Sequence, residues 1–197
     1  MNNKWLYILV LLVVAWYLFE YEPKTELGPG VKAPRQPQQQ SIRGAKSFQH
    51  NGYEITPLAE FDIEAKVLAK KTYLLGRESE LSPVDFAMGW GVMSDEAVLK
   101  EIKISQSNRF YWWRTETFPV KRREIETSSA NMHIVPANAN VKSLLKNVQV
   151  GQIVHLKGKL IKVQAKDGWH WRSSLTRDDT GNGACELIWT EKIDIRS

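Results

Sequence analysis

From Trp5 to Phe19 the chain reads WLYILVLLVVAWYLF, fifteen positions without a charge, a glycine or a proline. A helix apolar on every side has no face to offer water, so the run predicts a membrane-embedded helix rather than an amphipathic one. At about 1.5 Å per residue it spans about 22 Å. That falls short of a hydrocarbon layer of about 30 Å, so Asn2, Asn3, Lys4 and Tyr21 are expected to complete it. Trp5 and Tyr7 at one end, with Trp16, Tyr17 and Tyr21 at the other, match the two interfacial aromatic belts. A cleaved signal peptide fits less well, because the run ends in Tyr17, Leu18, Phe19 and Glu20 instead of small residues. A buried core helix fits least, since it would carry a polar stripe. Residues 1–22 are therefore expected to be an uncleaved anchor.

The pattern then changes. Residues 23–52 lose their apolar positions and gain Pro23, Pro29, Pro34, Pro37 and the triplet Gln38, Gln39, Gln40, the composition of an extended linker. Residues 53–197 are expected to form one globular domain. Phe61, Ile63, Ala65, Val67 and Ala69 alternate with Asp62, Glu64, Lys66 and Leu68, the period-two signature of a half-buried strand. Leu81 to Met88 is expected to hold a short turn or helix, and Ser94 is placed to cap a helix near 95–102. Arg109 to Arg114 and Met132 to Val135 read as strands, and 138–147 as a helix opened by an Asn. Ile153 to Val163 supply two strand segments about Gly158. Asp167 and Gly168 signal a two-residue hairpin turn of type I′, and a last strand runs from Ala184 to about Lys192. The pattern predicts an α+β, mainly β fold: a small OB-like curved β-barrel or sandwich with one or two short helices, behind an N-terminal transmembrane helix.

The chain has 197 residues, with 27 Lys and Arg against 22 Asp and Glu. Before Tyr53 stand six cations and three anions, so the expected domain holds 21 and 19 and is nearly neutral. That weighs against nucleic acid as a partner, because phosphate binding needs a concentrated excess of cations. The single cysteine, Cys185, excludes an internal disulfide framework and a cysteine-based zinc cluster.

The phrases ITPLAEF (55–61), ISQSNRFYWW (104–113), SSANMHIVPA (128–137) and WHWRSSLTRDDTGNGACELIW (169–189) resemble a group of uncharacterised bacterial single-pass membrane proteins. The resemblance runs over most of the chain after Tyr53. It implies a bacterial source and one domain behind an amino-terminal anchor, and it carries no activity and no functional residues. With the short flank before the anchor, it places the protein in the inner membrane as a signal-anchor protein, the bulk of the chain outside the cytoplasm.

Candidate chemistry gathers near the carboxyl end. The hairpin and loop from Trp169 to Asp178 bring together indoles, a guanidinium, hydroxyls and carboxylates, so Trp169, Arg172, Ser174, Arg177 and Asp178 are the candidate ligand-binding residues. Arg172 and Ser174 are expected on the face opposite Trp169 and Trp171. A loop closed by Asx-turns accounts for the same residues. Cys185 paired with His133 or His170 would supply a nucleophile and base, but a lone cysteine beside Leu187, Ile188 and Trp189 is ordinarily a small buried hydrophobe. The four histidines show no metal-ligand spacing, and no cofactor is expected. Phe110 to Arg114, FYWWR, offers a second aromatic surface if the loop is only a connection. These residues predict an envelope domain that binds a protein partner or a small ligand through a β surface without catalysis. A scaffold or assembly factor of a membrane complex, or a hydrolase-type enzyme using Cys185 with a histidine, are the alternatives.

Overall fold

The computed structural model describes residues 4–11, 24–176 and 185–196. A first short helix, α1, covers residues 4–11. The rest is mainly β. Strands β1 (Gln38–Ser41), β2 (Phe48–His50), β3 (Tyr53–Thr72), β4 (Val84–Gly89), β7 (Ser129–Pro136), β8 (Ile153–Gln164), β9 (His170–Arg172) and β10 (Glu186–Arg196) form one sheet, and β5 (Lys103–Ser107) and β6 (Phe110–Arg114) form a separate hairpin. Helices α2 (Arg77–Leu81), α3 (Glu96–Leu99), α4 (Arg122–Thr127) and α5 (Ala139–Asn147) are short, and Gly91–Ser94 forms a 3-10 turn.

The anchor expected over residues 1–22 is corrected by this structure. Helix α1 is eight residues and about 12 Å long, whereas a span needs about 20 residues. Among the described residues no helix is long and apolar enough to cross a membrane. The single-pass inner-membrane address, the signal-anchor orientation and the lipid partner lose their structural basis with it. Residues 1–3 and 12–23 lie outside the described residues.

The β part is also corrected. In place of the expected OB-like barrel or sandwich with one or two helices, there is one eight-stranded sheet paired in the order β1-β3-β4-β7-β10-β8-β9, with β2 and β8 also paired to β3, and four short helices after α1. Strand β3 is 20 residues long and pairs with four others, β8 along one edge and β2, β1 and β4 in turn along the other. Glu54 to Lys66 pair with β8, and Lys66 to Thr72 pair with β4, all antiparallel. Strands β7 and β10 run parallel. Gly158 shows how tightly this is drawn: a Cβ there would stand 1.9 Å from the Trp189 carbonyl oxygen, so the expected two segments become one continuous strand passing β10 at a glycine. The concave side holds the main core, including Phe61, Phe86, Met132, Leu156 and Ile188.

Lys24 and Thr25 lie against Val150, and residues 27–33 lie along the insert between β4 and β7. The Gly30 N–H donates to Asp95 Oδ1 at 2.8 Å, Lys32 and Ala33 N–H both donate to Ser94 Oγ, and Gly91 N–H donates to the Ala33 carbonyl. Ser94 thus spends its hydroxyl here, and the capping role expected of Ser94 falls to Asp95, which accepts from Ala97 N–H. Beneath them Lys66 Nζ donates to Glu96 Oε1 at 2.5 Å, a pair almost wholly removed from water.

Candidate binding site

The convex face of the sheet carries Asp85 and Ala87 from β4, Asn131 and His133 from β7, and Leu187 from β10. These side chains follow from the period of two and from the pairings Asp85 with His133 and His133 with Leu187. The β5–β6 hairpin is folded down onto this face. Its two-residue turn, Asn108 (φ 50°) and Arg109 (φ 67°), has both residues in the left-handed region, the conformation of a type I′ turn.

Arg109 is what fastens the hairpin. Its guanidinium donates to Asp85 Oδ1 at 2.7 Å and to the Ser82 carbonyl at 2.9 Å, and lies 3.7 Å from the Tyr73 ring centroid. Its own N–H donates to Tyr73 Oη. Asn131 Nδ2 donates to the Arg109 carbonyl at 2.9 Å, while Asn131 Oδ1 accepts from Gln106 Nε2 at 2.7 Å. Asp85 is fully buried, and its Oδ2 lies 3.0 Å from His133 Nδ1 but out of line for a hydrogen bond. A buried carboxylate is tolerable here because two cationic or donor groups converge on it.

Tyr111 and Trp113 face inward, against the cluster of Leu68, Ala87, Met93, Ile102 and Ile125. The Ser129 hydroxyl donates to the Ile125 carbonyl at 2.7 Å, so the Tyr111 hydroxyl is the donor in the 2.8 Å contact between them. Burial pushes Tyr111 up to about 12. Phe110, Trp112 and Arg114 point outward.

Between β6 and the start of β7 and β10 lies a cavity of about 500 Å³. Its walls carry the rings of Trp90, Phe110, Tyr111, Trp112, Trp113 and Phe118, with Arg114, Arg122, Glu126 and Asn131 among the polar groups and Cys185 and Glu186 at one end. Trp112 and Phe118 are 58% and 50% exposed, large apolar side chains left in water at the rim. Arg122 Nε donates to Glu126 Oε1 at 2.8 Å, whereas Arg114 has no ion-pair partner among the described residues. The Trp90 indole N–H is buried and has no acceptor among the described residues. A concave, ring-lined space with a few polar groups is the general form of a ligand site.

The residues singled out near the carboxyl end are not brought to this cavity as a set. Trp169 is half-buried beside Tyr53 and Trp171, with Arg77 over its ring. Arg172 and His170 are exposed on β9, and Arg172 pairs in register with Lys162. Ser174 does not share the wet face with Arg172: the strand ends at Arg172, and Ser174 is buried, its N–H donating to the Cys185 carbonyl. The expected I′ turn at Asp167 and Gly168 is a longer loop, because Gln164 pairs with His170 and only Gly168 of the two has positive φ. Arg177 and Asp178 lie outside the described residues. Cys185 does line the cavity, with Asn131 Nδ2 and the Arg109 carbonyl 3.8 and 3.9 Å from its sulfur. No hydrogen bond among the described residues joins it to His133 or His170, and His133 instead packs on Trp171 at 4.7 Å between ring centroids. Among the described residues no group of three or more His, Cys, Asp or Glu is placed to hold a metal ion.

The aromatic run of β6 was legible from the sequence as a second surface. Trp90, Phe118, Glu126 and Asn131 were not, because they come from separate segments that only the folded insert brings together. No known protein family, curated protein or solved structure matches the chain, so the resemblance to bacterial membrane proteins rests on the quoted phrases alone.

Proposed function

We propose that this protein is a binding domain without catalytic activity, and that its ligand or partner occupies the cavity under the β5–β6 hairpin. The observation that carries the reading is the set of six aromatic rings around about 500 Å³, two of them exposed at the rim beside the guanidinium of Arg114, which has no ion-pair partner among the described residues. Rings left in water beside this cation favour an occupant that combines an apolar or planar body with an anionic group. The buried Trp90 N–H supports the same reading, since a ligand acceptor is one way such a donor is satisfied.

The test is titration of the full chain with a panel of naphthalene and indole carboxylates, followed by tryptophan fluorescence and amide chemical shifts. Saturable binding with shifts at residues 110–114 is expected. Trp112→Ala and Arg114→Ala should each weaken it at least tenfold while leaving the melting temperature in place, because both side chains are exposed. Binding that both variants retain, or shifts confined to other parts of the sheet, would contradict the assignment.

A further inference from the structure

We infer that the occupant of this cavity is an extended peptide that adds a strand to the open edge of β6; the inference rests on the binding reading above and gives the ligand its class. All five residues of β6 line the cavity. Successive side chains of a strand point to opposite faces, so a space touching five in a row lies along the strand's edge, where the backbone is presented. Among the described residues β6 pairs only with β5. In a hairpin with a two-residue turn, Ser107 and Phe110 form the hydrogen-bonded pair next to the turn, as do Ser105 with Trp112 and Lys103 with Arg114. The N–H and C=O groups of Tyr111 and Trp113 therefore point away from β5 into the cavity. No other hydrogen bond among the described residues reaches the backbone of β6.

Five residues at about 3.4 Å run about 17 Å, the length of a short paired strand. Backbone pairing would supply affinity, and alternate side chains would supply selectivity. One set would meet the rings inside the cavity, and the other would pass Trp112 and Phe118 at the rim, where Arg114 calls for a carboxylate. The peptide is thus apolar at alternate positions with an acidic residue near one end.

A displayed library of random seven-residue peptides, selected on the full chain, tests this. Synthetic copies of the selected peptides are then measured by amide hydrogen exchange and by affinity. The expected result is binding that slows exchange of the Tyr111 and Trp113 amides at least tenfold, and a loss of at least tenfold in affinity when the peptide's amides facing β6 are N-methylated. Aromatic carboxylates that bind while no peptide is selected, or peptides indifferent to N-methylation, overturn strand addition and leave the binding reading standing. Failure of peptides and carboxylates alike overturns both. Tyr111 and Trp113 amides that are already slow without peptide, and speed up on dilution, would assign the edge to a second copy of the chain and overturn the proposal.

Discussion

Arg109 offers the sharpest perturbation of the site's framework. It sits at the tip of the hairpin, far in sequence from the sheet it holds, and its guanidinium is the cationic partner of a carboxylate that has no exposed surface. Replacing it by Met keeps the stem but removes both guanidinium hydrogen bonds, and leaves Asp85 with the 3.3 Å bond from the neutral Ser82 hydroxyl and the misaligned His133. Breaking a buried pair from one side costs about 3–5 kcal/mol. For a domain of this length that corresponds to a fall of about 6–20 °C in melting temperature. The backbone sharpens the expectation. Arg109 is held at φ 67°, a conformation that costs an L-residue about 1 kcal/mol or more and a glycine almost nothing. Arg109→Gly should therefore be milder than Arg109→Met by about 1 kcal/mol, although it removes more of the side chain. Adding Asp85→Asn to the Met variant should recover part of the loss, because a neutral amide is less costly to bury than an orphaned charge. Chemical denaturation of the four proteins measures all of this. A Met variant within about 1 kcal/mol of the parent, or an Asp85→Asn change that deepens its defect, would falsify the account of the anchor.

The elements that could be read from the sequence are those whose local signals agree with their place in the fold. Phe61 to Ala69 alternate because one face of β3 lies on the core, and Asn138 opens α5 by accepting from Val141 N–H. β4 was hidden for the opposite reason. All six of its residues are buried, so there is no alternation to see, and Asp85 in its middle looks like a break until Arg109 is found beside it. Gly158 looked like the end of a strand because a bend and a close backbone approach use the same residue. The apolar run at the amino end was the strongest signal in the chain; the described helix covers 4–11, and the rest of the run lies outside the described residues. At the site, the rings of β6 are consecutive in sequence and easily noticed. The opposite wall depends on the placement of the whole insert between β4 and β7, which no local pattern encodes.

Three further outcomes are expected. Gly158→Ala should destabilise by about 1–3 kcal/mol or more, because its methyl group would meet the Trp189 carbonyl and the backbones cannot separate without opening the β8–β10 ladder; a melt unchanged from the parent would show that the strands have more room than this. Arg172→Ala should shift stability by no more than about 0.5 kcal/mol, since that side chain is exposed, while Trp171→Ala should cost clearly more through its contacts with His133 and Trp169; equal melts would refute the difference. The last concerns pH. Burial raises the Glu96 carboxyl, but the hydrogen bond and charge of Lys66 outweigh it, so the group is held below its ordinary 4.5. A carboxyl depressed in the folded state contributes stability that is fully present above its unfolded pKa and is lost as pH falls through the lower, folded one. At neutral pH, Glu96→Gln removes that contribution and leaves Lys66 buried without its counter-charge, a loss of about 3–5 kcal/mol. Below about 4.5 Glu96 takes up its proton first in the unfolded chain and, at lower pH, in the folded one, so the parent comes to resemble the variant. The gap in unfolding free energy between the two proteins should therefore be constant from pH 7 to about 5 and narrow steadily below that. Other carboxylates titrate in both proteins alike and cancel in the difference. A gap that stays the same down to pH 3 would mean that Glu96 does not carry its charge in the pair with Lys66, and that the insert is held to β3 by packing alone.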